Sequence, residues 1–278
     1  MPPYAIARAA GGLGNRLLGV TSTLAIAEKY SLRFAMLWEA NMGFDDTGWH
    51  DLFANDFELI DRAAYDQAIE RGVPLASLWL DESIKPNARA IRRQIRHQGF
   101  VHDKGHLALD AALRSRGVQL AGCRKRRRRF CRELRAEASI AAEVDAFAAR
   151  FFDGHDVIGV HIRRGDAVTG PHRAEYLPST DEAFEAAMKR VVAPGVRFFL
   201  ATDCAATQLR FLTTFPDRVV CYDKAWVDSV FGVPKGGQRE ALVEMLLLSR
   251  TRHIIGTRWS TFGQMAARMG GLRFEAAI

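Results

Sequence analysis

Two adjacent arginines at the end of a predicted strand are the residues of this chain that best suit anion binding. The largely apolar, β-branched run 157–162 is followed directly by Arg163, Arg164, Gly165 and Asp166. An apolar run of this length, bounded by Gly and Asp, predicts a buried parallel strand. Ligands of open α/β sheets bind at the carboxyl ends of the strands. We therefore expect a site here, although a salt-bridged strand end would be the better interpretation of an isolated arginine pair.

Polar side chains also follow two other predicted strands in the second half of the chain. Asp203 comes after the strand 196–201, and Ser260 and Thr261 come after the strand 253–256. Arginine matches phosphate with a planar fork, an Asp accepts N–H donors of a base such as guanine, and a helix N-terminus favours anions. The three strand ends together predict a ligand with phosphate and a hydrogen-bonding ring. Separately, Asp203 and Ser260 could each be an ordinary helix N-cap.

A glycine-rich turn in the first half is a second candidate wall of the site. The predicted strand 4–9 runs into the segment 11–16, Gly-Gly-Leu-Gly-Asn-Arg, and then into a predicted helix, 17–30. Glycines in such a turn let backbone N–H groups approach an anion closely. The Gly-x-Gly-x-x-Gly spacing is met only loosely, so this segment alone is a weak dinucleotide signal. A tight strand-to-helix turn is the alternative interpretation.

The elements that must position these residues alternate between strand and helix. Such alternation predicts an α/β protein with doubly wound parallel sheets. Both halves fit this pattern, so we expect two Rossmann-like domains, 1–150 and 151–278, which face each other across a cleft. The predicted strands are 4–9, 33–38, 57–60, 118–121, 157–162, 196–201, 218–222 and 253–256, and the predicted helices are 17–30, 63–71, 84–96, 133–152, 181–192, 205–215, 239–250 and 263–269.

Composition excludes several classes of protein. No stretch approaches the roughly 20 apolar residues of a transmembrane helix, and the N-terminus lacks the basic and apolar regions of a signal peptide, so we expect a cytoplasmic protein. The four cysteines fit neither a zinc site nor a disulfide framework, and we expect reduced thiols. His102 and His106 have a spacing that metal ligands on a helix can have, but Gly105 separates them and no carboxylate completes the pattern. No metal site is expected.

Basic residues are concentrated in one segment, 124–135. This segment holds eight Lys and Arg residues and one acidic residue, Glu133. Its net charge of +7 therefore equals the net charge of the whole chain. It is typical of a solvated helix face or linker. A patch that meets an anionic membrane surface or an acidic glycolipid is the alternative. Nucleic-acid binding is disfavoured because Phe130 is its one aromatic residue.

The motifs described above resemble those of the fucosyltransferase superfamily of GT-B glycosyltransferases. This superfamily includes the α1,6-fucosyltransferases, the rhizobial NodZ proteins and the protein O-fucosyltransferases. The turn 11–16 resembles its N-terminal glycine motif. The segments 161–166, 201–203 and 260–262 resemble its three motifs in the second domain, and His-Ile-Arg-Arg-Gly-Asp at 161–166 is the most specific match. The resemblance implies a GT-B fold with a nucleotide-sugar-binding C-terminal domain and an acceptor-side N-terminal domain.

The resemblance also implies an activity and residue roles. The chain would be an inverting glycosyltransferase that needs no metal or other cofactor, and GDP-fucose would be its donor substrate. Arg163 would be the catalytic residue, in contact with the β-phosphate of the departing GDP, while Arg164 supports it or orders the loop. Asp203 would bind the guanine. The other implied substrate-binding residues are Gly12, Leu13, Gly14, Asn15, Arg16, His161, Ser260, Thr261 and Phe262.

The acceptor side is open at this level. We expect a glycan or glycolipid acceptor and no nucleic-acid partner. The inner face of a membrane is a candidate partner of the segment 124–135. The segment 259–263 is Trp-Ser-Thr-Phe-Gly instead of the Ser-Ser-Phe-Ser form of relatives, so another nucleotide sugar is an alternative donor. A non-catalytic module that binds a GDP-sugar or RNA is the alternative function. The candidates for an acceptor base are Asp166, Glu39, Asp45, His172 and Glu175.

Overall fold

The chain folds into two compact units, each built on a parallel β-sheet. The computed structural model describes residues 3–40, 46–71, 88–102, 108–115, 120–165, 179–226 and 237–278. Unit 1 comprises Met1–Trp49 and Asn55–Arg135, and unit 2 comprises His50–Ala54 and Ala136–Ile278. No helix in these described ranges combines the length and the hydropathy that a membrane span requires.

Unit 1 is a Rossmann-like unit with a four-stranded parallel sheet in the order β3-β2-β1-β4. Its central strand β1 is followed by helix α1, which is buried along most of its length and packs on β1. Its elements are β1 (Tyr4–Ala9), α1 (Leu13–Tyr30), β2 (Arg33–Trp38), α2 (Trp49–Leu52, whose residues other than Trp49 belong to unit 2), β3 (Glu58–Leu59), α3 (Arg62–Arg71), α4 (Ala88–Gln98), β4 (Phe100–His102), α5 (Leu109–Ser115) and α6 (Cys123–Glu133).

Unit 2 repeats this topology with a five-stranded parallel sheet in the order β7-β6-β5-β8-β9. In both sheets the first strand of the unit lies inside the sheet, the second and third strands follow on one side of it, and the later strands lie on the other side, as in a Rossmann fold. The elements are α7 (Ala138–Phe151), β5 (Asp156–Ile162), α8 (Asp181–Lys189), β6 (Val196–Thr202), α9 (Ala205–Thr214), β7 (Val219–Cys221), α10 (Gln238–Ser249), β8 (Ile254–Gly256), α11 (Thr261–Gly270) and β9 (Phe274–Ala276).

The predicted alternation of strands and helices is confirmed, but the helices α2 and α5 and the strand β9 were not predicted, and unit 1 shows further differences. Helix α1 begins at Leu13 and not at residue 17, because Gly11 makes the left-handed turn (φ +79°) and Gly12 is the N-cap. The edge strand β4 was not predicted. The strand expected at 118–121 is wrong where it is described, since Leu120 and Ala121 lie at the turn before α6.

The expected domain boundary near residue 150 also needs correction, because the contacts of the chain divide it between Arg135 and Ala136. The predicted helix 133–152 corresponds to α7, which begins at Ala138, while the basic run before it forms a separate helix, α6, that ends at Glu133 in unit 1. Helix α7 belongs to unit 2 because Phe147 packs edge-on against Phe199 of β6, with ring centroids 5.7 Å apart. The Glu143 carboxylate of α7 also accepts hydrogen bonds from Tyr222 and Arg239.

The core of unit 2 supports the strand ends from below. Phe184 of α8, Phe198 and Leu200 of β6 and Phe211 of α9 are fully buried against the inward-facing residues of β5. The Thr180 side chain caps α8 by accepting a hydrogen bond from the Ala183 N–H, as the sequence predicts. The site at the end of β5 is therefore built on a packed sheet and not on a loop alone.

Candidate functional site

The carboxyl ends of three neighbouring strands bring the predicted residues of unit 2 together. In the parallel ladder, His161 of β5 pairs with Ala201 of β6 on one side and with Gly256 of β8 on the other. Arg163 follows β5 directly, and Asp203 follows β6. The predicted convergence of these strand ends in one site is therefore present in the structure.

Asp203 holds both arginines through its two carboxylate oxygens. Its Oδ2 lies 2.8 Å from Nη1 of Arg163. Its Oδ1 accepts a hydrogen bond of 2.7 Å from the backbone N–H of Arg164. The Arg163 side chain is 26% exposed, so part of its guanidinium faces solvent while the carboxylate fixes it. Cys204, and not Asp203, is the N-cap of α9. The ion pair orients a guanidinium for an anion, whereas contact between Asp203 and guanine stays a prediction.

The Arg164 side chain is mostly buried in unit 2, where it donates hydrogen bonds to residues at the end of β5 and at the start of α8. Its Nη1 donates to the carbonyl oxygens of Arg163 and Ser179, at 3.1 and 3.0 Å. Its Nε donates to Oδ1 of Asp181, at the start of α8, at 3.1 Å. Ser179 in turn donates to the Ala277 carbonyl oxygen at 2.7 Å. Arg164 therefore connects the end of β5 with α8, which agrees with the role of ordering the loop.

Thr257 fixes the backbone on the other side of Arg163. This residue is fully buried after β8, and its Oγ1 accepts a hydrogen bond of 2.8 Å from the Arg163 N–H. Its own N–H donates to the carbonyl oxygen of His161 at 2.9 Å. Asp203 and Thr257 thus hold the Arg163–Arg164 backbone from two neighbouring strands, which pre-organises the site before any ligand binds.

His161 is buried beneath the arginines and stays neutral. Burial, followed by the charges of Arg163 and Lys224, lowers the pKa of His161 to about 3. The imidazole stacks on Phe262 with ring centroids 4.9 Å apart and an interplanar angle of 20°. A side chain at Gly263 would place its Cβ 3.0 Å from Nδ1 of His161, so any larger residue would crowd the imidazole. His161 supports the site as a neutral ring and not as an imidazolium.

Helix α11 presents its N-terminus at the same edge of the sheet. Ser260 is its N-cap and is buried, and within the described chain its side chain makes no capping hydrogen bond. Thr261 and Phe262 form the first turn and are half-buried. The first N–H groups of a helix lack intrahelical partners and favour an anion. Ser260, Thr261 and Phe262 therefore lie where the sequence placed them, at a helix start beside the arginines.

An ion pair beneath the site was not predicted from the sequence. Lys224 Nζ lies 2.6 Å from Oε1 of Glu244 and donates to the Thr202 carbonyl oxygen at 2.6 Å. Burial raises the pKa of Glu244 to about 7, with the Asp203 charge adding to the effect and Lys224 opposing it. The available signal was a carboxylate in the apolar segment 242–248 of α10. This pair supports the carbonyl group that precedes Asp203.

The glycine turn of unit 1 has a different character. Gly12, Leu13, Gly14 and Asn15 form the N-cap and first turn of α1, and Leu13 and Gly14 are buried. Arg16 is fully buried, and it donates from Nε to the Gly11 carbonyl oxygen at 2.8 Å and from Nη2 to the Glu39 carbonyl oxygen at 2.6 Å. Its guanidinium also lies 4.9 Å from the centroid of the Trp38 ring. Arg16 supports the turn from inside, and substrate contacts of these five residues stay predictions.

The candidate acceptor bases are mostly outside the described residues. Asp45, Asp166, His172 and Glu175 lie there, as does His106. The Glu39 carboxylate is described and forms ion pairs with Arg8 and Arg62 of unit 1. In the ranges that the structure describes, no group of three or more His, Cys, Asp or Glu side chains could hold a metal ion. All four cysteines are described, and they are free thiols.

The described geometry has counterparts among known proteins. The family model of nodulation protein Z matches residues 103–270, which is more than half of the chain. The chain belongs to the nodulation protein Z family. A NodZ-family relative from Bradyrhizobium diazoefficiens, nodulation protein Z, is 28% identical over 146 residues, which cover 46% of this chain. That match spans 38% of the relative, well under two thirds of its length.

Solved structures show the fold of this NodZ-family chain. The crystal structure of NodZ α-1,6-fucosyltransferase soaked with GDP-fucose has a TM-score of 0.63 and 22% identity, and the match covers 97% of this chain and 93% of that one. Arabidopsis thaliana FUT1 in complex with GDP has a TM-score of 0.66 and 16% identity, with coverage of 99% and 70%. These neighbours have the GT-B fold, so the predicted fold class is confirmed.

Proposed function

We propose that this chain is an inverting glycosyltransferase that transfers fucose from GDP-fucose to a glycan or glycolipid acceptor. The observation that carries the proposal is the Arg163 guanidinium, which is partly exposed and is fixed by Asp203 at the carboxyl end of β5. Family membership supports the reaction class. A NodZ structure soaked with GDP-fucose and another co-crystallised with GDP support the donor.

In this proposal the diphosphate lies between Arg163 and the N-terminus of α11. Departure of GDP from the sugar builds negative charge on the β-phosphate, and a fixed guanidinium stabilises that charge where it develops. The N–H groups of the first turn of α11, which begins at Thr261, supply further donors because such groups have no intrahelical partner. Because a guanidinium and a helix N-terminus neutralise the leaving group here, we propose that the step needs no metal ion.

The other residues of the site position this guanidinium. Asp203 and Thr257 hold its side chain and its backbone, while Arg164 holds the loop. His161 lies beneath the diphosphate as a neutral ring, since its pKa is lowered to about 3. Asp203 could instead bind the guanine, but both of its carboxylate oxygens already hold the arginines. We therefore propose that its main task is to position Arg163.

A nucleotide panel followed by a turnover assay tests the donor. Thermal unfolding is measured with GDP, UDP, ADP and CMP, and the release of GDP from GDP-fucose is then followed with a mixture of glycan acceptors. We expect stabilisation by GDP and release of GDP. Stabilisation by UDP and not by GDP would contradict the fucosyl donor. GDP binding without cleavage of GDP-fucose would support the alternative function, a non-catalytic GDP-sugar-binding module.

We also propose that α6 meets an anionic membrane surface, which would place the chain peripherally at the inner face. Arg124, Arg128 and Arg132 recur every four residues on this helix and are exposed. By contrast, Arg126 and Arg129 pair with Glu28 of α1. The first three therefore form a charged stripe that is available to lipid headgroups, and each is worth about 1 kcal/mol near such a surface.

Vesicle sedimentation tests the membrane proposal. We expect binding to vesicles with anionic lipid and not to neutral vesicles, and we expect replacement of all three stripe arginines by Gln to abolish it. A matched variant removes three exposed positive charges of unit 2, at Lys189, Arg190 and Arg273. Equal binding to both vesicle types, or equal loss in both variants, would contradict a specific membrane face. If the wild type bound RNA added to the same assay and the stripe variant did not, RNA would be the favoured partner instead of the membrane.

A further inference from the structure

An exposed tryptophan stands beside the proposed diphosphate site. Trp259 lies in the turn between β8 and α11, directly before the N-cap Ser260, and 56% of its surface is exposed. The guanidinium of Arg258 lies over its indole at 5.2 Å from the ring centroid. The hydroxyl residues that flank Arg258 and Trp259, Thr257 and Ser260, are buried. The indole therefore projects from a fixed turn at the edge that carries Arg163.

The backbone of Trp259 has a conformation that tryptophan rarely adopts. Its φ is +66°, and the turn is closed by a hydrogen bond of 3.2 Å from the Ser260 N–H to the Thr257 carbonyl oxygen. The third position of such a turn favours Gly or Asn, because a side chain crowds the backbone there. For a bulky residue, a positive φ is strained, and such strain is concentrated at functional sites.

The turn is tied directly to the backbone of Arg163. Thr257, at its start, accepts the Arg163 N–H through Oγ1. The strand β8, which leads into the turn, is the neighbour of β5 on one side, and β6 with Asp203 is the neighbour on the other. In a nucleotide sugar, the sugar is bonded to the β-phosphate itself, while the base is separated from it by the α-phosphate and the ribose. A side chain adjacent to the phosphate-binding residues is thus better placed for a sugar than for the base.

We propose that Trp259 is a stacking platform for a pyranose ring at the transfer site. Its indole face contacts the apolar C–H face of the sugar, and this contact sets the position of the ring and contributes to specificity. The sugar is either the donor fucose or the acceptor residue that receives it, and both present the same C–H chemistry. This inference rests on the proposed function, since it assumes that Arg163 and α11 bind the diphosphate.

Three variants of Trp259 separate stacking from backbone strain. Trp259→Gly removes the indole and relieves the positive φ, Trp259→Asn removes it in a residue that tolerates this conformation, and Trp259→Phe keeps an aromatic face. We expect Trp259→Gly to unfold at the same or a higher temperature than the wild type. We also expect the Gly and Asn variants to lose about tenfold in affinity for the sugar, the size of an aromatic stacking contribution. Trp259→Phe should lose less.

Binding of GDP and GDP-fucose by calorimetry, and the KM for an acceptor, identify the stacked ring. Weaker binding of GDP-fucose with unchanged binding of GDP supports stacking on the donor sugar. An increased acceptor KM with unchanged donor binding supports stacking on the acceptor sugar. Equal losses for GDP and GDP-fucose indicate stacking on the base and overturn the proposal, as does wild-type behaviour of the Gly variant. If the wild type binds GDP but cleaves no GDP-fucose, the proposed function fails first and the platform fails with it.

Discussion

Arg16 of unit 1 and Arg163 of unit 2 occupy similar places in sequence and opposite places in the structure. Both follow the first strand of a Rossmann-like unit within a few residues, and both belong to motifs that predict ligand binding. The Arg16 side chain is fully buried, where it donates to two carbonyl oxygens of unit 1. The Arg163 side chain is 26% exposed and is held from one side by Asp203.

This difference follows from the secondary structure that surrounds each arginine. Arg16 lies within α1, a helix that is buried along most of its length, so its side chain is surrounded by protein. Arg163 lies just beyond β5, before α8, where neighbouring strands supply a carboxylate and a hydroxyl as partners. An arginine becomes a candidate anion ligand when the protein fixes only part of its guanidinium. The residue type and its position after a strand are not sufficient.

The largest effect is expected from Arg163→Met, which removes the guanidinium and keeps the length of the side chain. GDP release from GDP-fucose should fall by about 10²–10³-fold, the cost of losing a pre-organised donor at a transition state. The unfolding temperature should fall moderately, because Asp203 loses its ion-pair partner while the Arg163 side chain itself is partly exposed. Steady-state turnover and thermal unfolding are measured on the same preparation. If the variant lost its fold together with its activity, Arg163 would have a structural role like that of Arg16, and the contrast between them would be wrong.

Arg16→Met should give the complementary result. The variant leaves the carbonyl oxygens of Gly11 and Glu39, which lie in part-buried hydrogen bonds, without their donor, and such a loss costs up to roughly 1–3 kcal/mol for each unpaired group. We expect a loss of about 3 kcal/mol in the free energy of unfolding, measured by urea denaturation. At temperatures where the variant is folded, turnover should stay within a few-fold of the wild type. A folded variant with full stability and no activity would instead make Arg16 a ligand.

Arg164→Met tests an arginine between these two extremes. Its side chain is 16% exposed, so water replaces part of what is lost, and we expect a smaller loss of roughly 1–2 kcal/mol in unfolding free energy. Turnover should fall by about tenfold, because the loop that carries Arg163 is less fixed. Asp181→Asn is the matched change on the partner and should have a similar effect. Full activity in both variants would exclude a positioning role.

The smallest signal is expected in the pH dependence of stability, and it is specific to unit 2. Burial raises the pKa of Glu244 from 4.5 to about 7, so between these values the folded chain binds more protons than the unfolded chain. The contribution of this group to stability is therefore greatest below pH 4.5, declines as pH rises and is constant above about 7. In the Glu244→Gln variant, the free energy of unfolding measured from about pH 5 to 8 should lack this decline with pH. An unchanged slope would show that Glu244 does not titrate there.

Much of unit 2 was predictable from its sequence, and the physical reason is clear from β5 and β6. Their apolar runs are long, they are bounded by charged or turn residues, and they end within two residues of the predicted positions. A hydroxyl N-cap for α8 was predictable at Ser179 or Thr180, and the structure has it at Thr180. The convergence of Arg163 and Asp203 followed from the rule that parallel strands end at one edge of a sheet.

Other features depend on tertiary contacts that no local pattern contains. The strands β4 and β9 have three residues each and lie at sheet edges, too short for a periodic signal. The start of α1 at Leu13 includes Gly14, a poor helix former that packing overrides. The direction of Arg16, and the pairing of Lys224 with Glu244 across 20 residues, depend on which groups surround them.

The most direct test of the account is the rate of GDP release by Arg163→Lys under single-turnover conditions with saturating GDP-fucose. Lysine keeps the positive charge but lacks the planar fork that Asp203 orients and that matches a phosphate with two parallel hydrogen bonds. We predict a loss of about 10²-fold or more relative to the wild type, with the GDP affinity retained within about tenfold. A variant that releases GDP at a rate close to that of the wild type would contradict the assignment of Arg163 to the departing phosphate.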